Sequence, residues 1–391
     1  MRFQMTTLLI ALLLSTSIAT AQPPAKPLDP DVAALVKGNN EFAFDLYRQL
    51  SKKEGNIFFS PLSISTAMAM MYAGARGETA KDMAKVLRFP ADHEKLHPIY
   101  ARMLREKPDS ISIANALWAQ DGLSLNPGYL ATCEKNYNAP FRNLNFAGDT
   151  EGARREINKW VSHATRDKIP EMFLPDILKK DTRFVFANAV YFKGTWQIPF
   201  PKDQTRDEDF FVSEGKSIKT PMMKLRKQTF NVSYVDGLSM LEMNYQEKKT
   251  SMILLLPHKR FALDTEMQKL TEEKFTHAVA KLVSQKNMEV YAPRFKFETT
   301  AFLSENLKSL GMQSVFPGDF SGIGGIGNLV DVLHKAYVEV DEVGTTAAAA
   351  TAGWTNVSFP PVFIANQPFV FLIVDKSNGS IVFMGRLIRP N

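Results

Sequence analysis

The chain of 391 residues has a single cysteine, Cys133. No internal disulfide can form, so packing alone must hold the fold together. No stretch reaches the ~18 consecutive apolar residues of a membrane-spanning helix. After residue 30 there is no Gly/Ser or Pro-rich linker, and no segment repeats. Blocks of like charge are missing as well. The net charge is +6, or 6 − 1 = +5 without Arg2, and the densest basic runs are the pairs Lys52-Lys53, Lys179-Lys180 and Lys248-Lys249. Such pairs read as solvated surface rather than a nucleic-acid site. What is there is 45% hydrophobic and 23% charged residues, an ordinary globular balance that excludes a disordered chain, a collagen-like chain and a disulfide-stapled mini-protein.

The N-terminus reads Met1-Arg2-Phe3, then an apolar stretch from Leu8 to Leu14, then Ala19-Thr20-Ala21. A positive start, a short apolar run and an A-x-A end make a secretory signal peptide, cleaved before Gln22. The alternative is an N-terminal membrane anchor, for which the apolar run is too short. The expectation is therefore an exported chain with no membrane attachment: secreted and extracellular, or periplasmic in a Gram-negative bacterium. Subtracting the leader leaves 391 − 21 = 370 residues, and at roughly 150 residues per domain that suggests two or three domains.

Three features invite a catalytic reading. His93-Glu94-Lys95-Leu96-His97 matches H-E-x-x-H, in which two histidines on one helix face bind zinc. Pro98 follows at once and predicts that no uninterrupted helix carries the motif, so it reads as a surface loop. Gly322 to Gly327 contains G-x-G-x-x-G, but it precedes the strand-like Leu329 to Leu333 rather than a helix, which excludes a dinucleotide cradle. Cys133 falls within a predicted helix from Asn126 to Asn136 with nothing nearby to activate it, and reads as a packed thiol. There is no nucleophile elbow or P-loop, and the six histidines stand apart in sequence. The expectation is not an enzyme, and no metal.

Apolar residues at three- and four-residue spacing predict helices over Val32 to Lys52, Ile64 to Leu87, Ala153 to Arg166 and Thr300 to Leu310. Phe184 to Phe192 is almost wholly apolar, as a central strand should be. Ser251 to Leu256 is a further strand, stopped by Pro257. Phe369 to Val374 and Ile381 to Phe383 flank the turn signal Asp375-Lys376-Ser377-Asn378-Gly379. Helices come early and strands late without a βαβ rhythm, which is an α+β arrangement.

The segment Glu339 to Pro361 is unlike the rest. It begins as a strand, passes Asp341-Glu342, and reaches Gly344, a residue suited to a hinge. Thr345 to Thr355 then carries no charge, and six of these eleven residues are Ala or Gly. It is not amphipathic, but it is small enough to slide between two strands, a loop at one time and a strand at another.

This segment resembles the reactive-centre hinge of a serpin, the serine-protease-inhibitor superfamily. Asn56 to Ile64, Ala73 to Thr79, Ile157 to Val161, Asn188 to Trp196, Leu255-Leu256-Pro257 and Pro293-Arg294-Phe295 are similar to further serpin motifs. So are Asp319-Phe320-Ser321, His334-Lys335-Ala336 and Pro368 to Phe371. The likeness runs from about Val32 to Pro390. It implies an α+β serpin fold with helices packed around three β-sheets and an exposed reactive-centre loop at about 342–361. Residues 1–21 would be the signal peptide, 22–30 a Pro-rich segment and 31–391 one domain, which replaces the count of two or three.

The resemblance also implies a suicide mechanism. A target protease attacks the loop, an acyl-enzyme forms, and the freed segment inserts into the main sheet as a new strand. On insertion Thr345, Ala347, Ala349, Thr351, Gly353 and Thr355 would face inward, none charged or bulky. The hinge is then Glu342, Gly344, Thr345, Thr346, Ala347, Ala348, Ala349 and Ala350. Val343 departs from the charged residue many members carry there. Ser60, Asn188 and His334 resemble a buried polar cluster, the shutter, beneath the sheet's opening point. Trp196 resembles the aromatic residue at the breach where the loop enters, and Glu342 with Arg294 a hinge salt bridge.

The reactive bond falls at Ser358-Phe359, or at Val357-Ser358 on a second alignment. A small residue on the acyl side suits elastase-like or subtilisin-like proteases, and the absence of Lys or Arg argues against trypsin-like ones. The partner implied is a serine protease in covalent complex, with a cysteine protease as a further class. The inhibitor itself would be a monomer without nucleic acid, membrane or cofactor. A non-inhibitory binding, carrier or chaperone serpin is the alternative. Ile99 to Lys107 offers only Arg102, Arg105 and Lys107 to a polyanion. Asn231, Asn356 and Asn378 stand in glycosylation sequons.

Overall fold

Asp29 and Pro30 show how the sequence opens its first helix. The Asp29 carboxylate accepts from the Asp31 amide at 2.9 Å, and Pro30 occupies the first helical position, where a missing N–H costs nothing. The computed structural model describes residues 28–90, 92–324, 332–343 and 360–390. The expected leader, residues 22–27 of the Pro-rich segment, and the hinge and reactive-bond residues from 344 to 359 lie outside them.

In chain order the elements are α1 (Pro30–Leu50), β1 (Ile57–Phe59), α2 (Pro61–Gly74), α3 (Gly77–Leu87), α4 (His93–Glu106), β2 (Ile111–Gln120), α5 (Pro127–Tyr137), β3 (Phe141–Leu144), α6 (Thr150–Ala164) and β4 (Phe184–Phe192). Then follow β5 (Arg206–Ser213), β6 (Lys216–Val235), β7 (Leu238–Asn244), β8 (Thr250–Pro257), α7 (Leu263–Lys269), α8 (Glu272–Ala280), β9 (Val283–Pro293) and β10 (Phe295–Phe302). The remainder is α9 (Ser304–Leu310), β11 (Leu333–Val340), β12 (Val362–Ile364), β13 (Phe369–Asp375) and β14 (Ser380–Leu387).

The described strands form three sheets. Nine strands make the largest, in the order β1-β14-β13-β8-β7-β6-β9-β12 with β5 on β6. The second is β3-β2-β4, with β2 antiparallel to β4 from Ile111 opposite Phe192 to Ala119 opposite Phe184. The third pairs β10 with β11, from Phe295 opposite Val340 to Phe302 opposite Leu333. Every residue of β13 and β14 is buried, as their largely apolar sequence favours, with Asp375, Ser380 and Arg386 buried among the apolar side chains. Phe58 stacks on Phe383 at 5.0 Å and on Phe371 at 5.7 Å, joining β1 to β14 and β13. α2 is buried on every side along almost its whole length, so it is a central helix rather than a surface one.

Three expectations are corrected. Residues Ile64 to Leu87 form two helices, because the chain breaks at Ala75-Arg76, where the Arg76 amide donates to the Asp319 carbonyl at 2.9 Å. Residues Thr300 to Phe302 belong to β10, where pairing to β11 outweighs a helix-compatible pattern. The H-E-x-x-H segment is a helix after all, not a surface loop. Asp92 caps α4, and Pro98 sits inside it as its sixth residue. Proline there removes one bond, to the Glu94 carbonyl, which the packing of α4 outweighs. His97 is buried with Nδ1 2.7 Å from the Tyr137 hydroxyl, and His93 stacks on Tyr72 at 3.7 Å. No group of three metal-ligating side chains occurs among the described residues. Nor is any helix among them long and apolar enough to cross a membrane.

Candidate functional site

β4 is the outer strand of one small sheet and β11 an outer strand of the other. Among the described residues no ladder joins them. Their starting ends, Phe184 and Leu333, line one cavity of 580 Å³. Their finishing ends, Phe192 and Val340, line a second of 260 Å³. The two strands therefore run in the same direction with a gap between them. β11 leads through Asp341, Glu342 and Val343 into residue 344, so a segment turning back there would run antiparallel to β11 and, equally, to β4.

Ser60, Asn188 and His334 are brought together where the start of β11 faces the middle of β4, and Asn188 and His334 line the larger cavity. Ser60 is the N-cap of α2: its Oγ accepts from the Ser63 amide at 3.1 Å and donates to the Val382 carbonyl at 2.6 Å. The Ser60 amide donates to His334 Nε2 at 3.1 Å. A nitrogen that accepts carries no proton, so the neutral ring bears its proton on Nδ1. Burial holds His334 neutral by lowering its pKa from 6.5 to about 4. Asn188 Oδ1 accepts from the Ser63 hydroxyl, and its amide donates to Asn115 Oδ1 at 2.7 Å. Sequence reasoning did not assign Ser63 and Asn115 to this cluster. The available signal was a pair of asparagines in two apolar strands, which the β2–β4 register places directly opposite each other.

The far end of the gap is held by Trp196, Arg294 and Glu342. Trp196 follows β4, stacks on Tyr245 at 4.6 Å, and donates from Nε1 to the Asp341 carbonyl at 2.9 Å. Glu342 Oε1 accepts from Arg294 Nη2 at 2.8 Å and from the Thr205 hydroxyl at 2.7 Å, while its carbonyl accepts from the Phe200 amide at 3.0 Å. Burial pushes the Glu342 pKa up, but Thr205 and Arg294 outweigh it and leave it below the usual carboxylate value. Thr205 and Tyr245 are further contributors that no sequence motif marked, and Asp341, noted in the sequence only as one of an acidic pair, contributes through its carbonyl. Gly344, Thr345, Thr346, Ala347, Ala348, Ala349, Ala350, Val357, Ser358 and Phe359 lie outside the described residues.

Two contacts tie the chain between α6 and β4 to β11. Lys168, just after α6, pairs with Glu339 of β11 at 2.9 Å, and Lys335 donates to the Glu171 carbonyl at 2.6 Å. The chain between α6 and β4 is thereby fastened to β11.

Comparison with known proteins gives one answer. The profile described as "Serpin (serine protease inhibitor)" matches residues 37–390. A leukocyte elastase inhibitor of Equus caballus is 35% identical over 377 residues, covering 91% of this chain and 99% of that one. An uncharacterised serpin-like protein of Thermococcus kodakarensis is 36% identical over 373 residues, covering 91% and 86%. Among solved structures, uncleaved ovalbumin superposes with a TM-score of 0.84 at 29% identity, covering 91% of this chain and all of that one.

Proposed function

Because the chain belongs to the serpin family of serine protease inhibitors, we propose that it is a secreted suicide inhibitor whose reactive bond lies in the segment 344–359. The target's serine oxygen attacks the carbonyl of Ser358 and the Phe359 amine leaves, giving an ester that tethers the protease to the loop. Val357-Ser358 is the alternative bond. The freed segment, hinged at Gly344, enters the gap between β4 and β11.

One observation carries this reading: among the described residues β4 and β11 run side by side without a ladder, and the segment follows directly on the end of β11 in the chain. Residues 344 to 358 are fifteen in number, about 50 Å when extended, more than enough to run the nine residues of β4. At roughly 0.5–1.5 kcal/mol for each new backbone bond, nine residues inserted between two strands, with up to about eighteen N–H and C=O groups paired, would contribute on the order of 9–27 kcal/mol. Ser60, Asn188 and His334 would form the shutter the entering strand has to part. Trp196, Arg294 and Glu342 would hold the breach where it begins.

The target class follows from small residues beside the bond, Val357 and Ser358, and from similarity to proteins named for leukocyte elastase. Elastase-like or subtilisin-like serine proteases are favoured, with cysteine proteases a further class. Export rests on the leader motif at 1–21. The test is to mix the protein with elastase or subtilisin and resolve the products on denaturing gels. A complex that survives SDS is expected. Cleavage in the loop with no complex and no gain in thermal stability would sink the proposal and leave a non-inhibitory binding serpin.

A further inference from the structure

The larger cavity has features a strand alone does not explain. Its 580 Å³ lies within the range of small-molecule sites, about 300–1,000 Å³. Met68 and Met71 of α2, Phe184 and Phe186 of β4, and Leu333 of β11 form an apolar wall. Ile177 and Phe302, 38% and 48% exposed, flank its mouth. His334, only 4% exposed, and Asn188 also line it, and each has a donor to spare. The Nδ1–H of His334 has no acceptor among the described residues, because the Ser60 amide occupies only Nε2. Asn188 gives one amide proton to Asn115, and no described residue accepts the other.

We propose that this cavity binds a neutral, largely apolar molecule carrying one carbonyl oxygen, which accepts from His334 Nδ1 and Asn188 Nδ2 while its hydrocarbon part lies against Met68, Met71, Phe184 and Phe186. A carbonyl oxygen has two lone pairs and can accept from both donors at once. A carboxylate is disfavoured, since the two cations that line the cavity, Lys179 and Arg183, are matched in number by Asp176 and Asp181 and leave no net positive charge to offset its desolvation. The two methionines supply a wall that adapts to different hydrocarbon shapes. Resting on the insertion reading above, the bound molecule occupies space the entering strand needs, so it diverts the inhibitor toward simple cleavage.

The probe is 2-nonanone, labelled with ¹³C at its carbonyl and titrated into the full chain at pH 7.5. Saturable one-to-one binding is expected, with the carbonyl resonance moved from its position in hydrocarbon solvent toward that of a hydrogen-bonded ketone. Ala67→Phe, which fills the cavity, should weaken binding at least tenfold. Ile177→Asp, at an exposed position where folding tolerates a charge, should weaken it severalfold. Nonanoate should bind at least tenfold more weakly than the ketone. No saturable binding, binding indifferent to both variants, or nonanoate binding equally well overturns the proposal. A ketone that binds as expected, yet at saturation leaves the ratio of covalent complex to cleaved chain unchanged, upholds the site and refutes the insertion reading instead.

Discussion

Arg294 donates to Glu342 across 2.8 Å, at the last turn of chain before residue 344. The two partners are unequal. The Glu342 side chain is 5% exposed and that of Arg294 is 48% exposed. Removing the carboxylate therefore strands the Thr205 hydroxyl and the guanidinium, whereas removing the guanidinium leaves Glu342 still bonded to Thr205. Glu342→Ala should lower stability by roughly 1.5–3 kcal/mol, and Arg294→Ala by no more than about 1 kcal/mol. Urea unfolding of the two variants checks this, and equal losses would refute the asymmetry.

Acid should weaken the fold through two histidines. His97 and His334 are both held neutral by burial, with pKa values lowered from 6.5 to about 4. The unfolded chain takes up protons first as pH falls. The stability these rings contribute is thus complete above pH 6.5 and is lost between pH 6.5 and pH 4, on the order of 2–4 kcal/mol for each. Thermal midpoints from pH 7.5 to 4.0 should show this limb, and His97→Asn should flatten it. An unchanged slope in the variant would exclude His97 as a contributor.

Cys133 should be silent in the folded protein. It is fully buried in α5, and burial pushes its thiol up to about 12. An aromatic disulfide reagent should report no thiol under native conditions and one per chain in urea. Stoichiometric reaction before unfolding would contradict the packing described.

Pro98 offers a stabilising change. It is exposed and denies α4 one backbone bond. Pro98→Ala restores that donor to the Glu94 carbonyl at the cost of a more flexible unfolded chain. The balance should be a gain of about 1–2 kcal/mol in urea unfolding.

The elements most legible in the sequence are those whose own composition decides them. β4, β13 and β14 are largely apolar runs, and Asn126 caps α5 one residue before Pro127. What failed was decided at a distance. The break between α2 and α3 is set by a bond from Arg76 to Asp319, far along the chain. Thr300 to Phe302 became strand because β11 lies beside them. At the site, Ser60, Asn188 and His334 carry motifs, and Ser60 and His334 are bonded directly. Ser63 and Asn115 became visible only with the register of β2 against β4, which no local pattern encodes. Pro98 misled because intrinsic helix breaking is one term, and burial of Leu96, His97 and Tyr100 on the same helix outweighs it.

β13 and β14 stand after every other described strand in chain order, yet β13 lies between β14 and β8 inside the nine-stranded sheet. A ribosome therefore delivers the middle of that sheet after its flanks. β7 and β8 must wait, with an apolar edge open, until residues 369–387 emerge, so this half of the molecule cannot complete itself piece by piece during synthesis. The same order means that a cut near residue 358 separates a C-terminal fragment whose strands are already locked between β1 and β8. The two pieces would stay together without any covalent bond and travel as one particle until denatured.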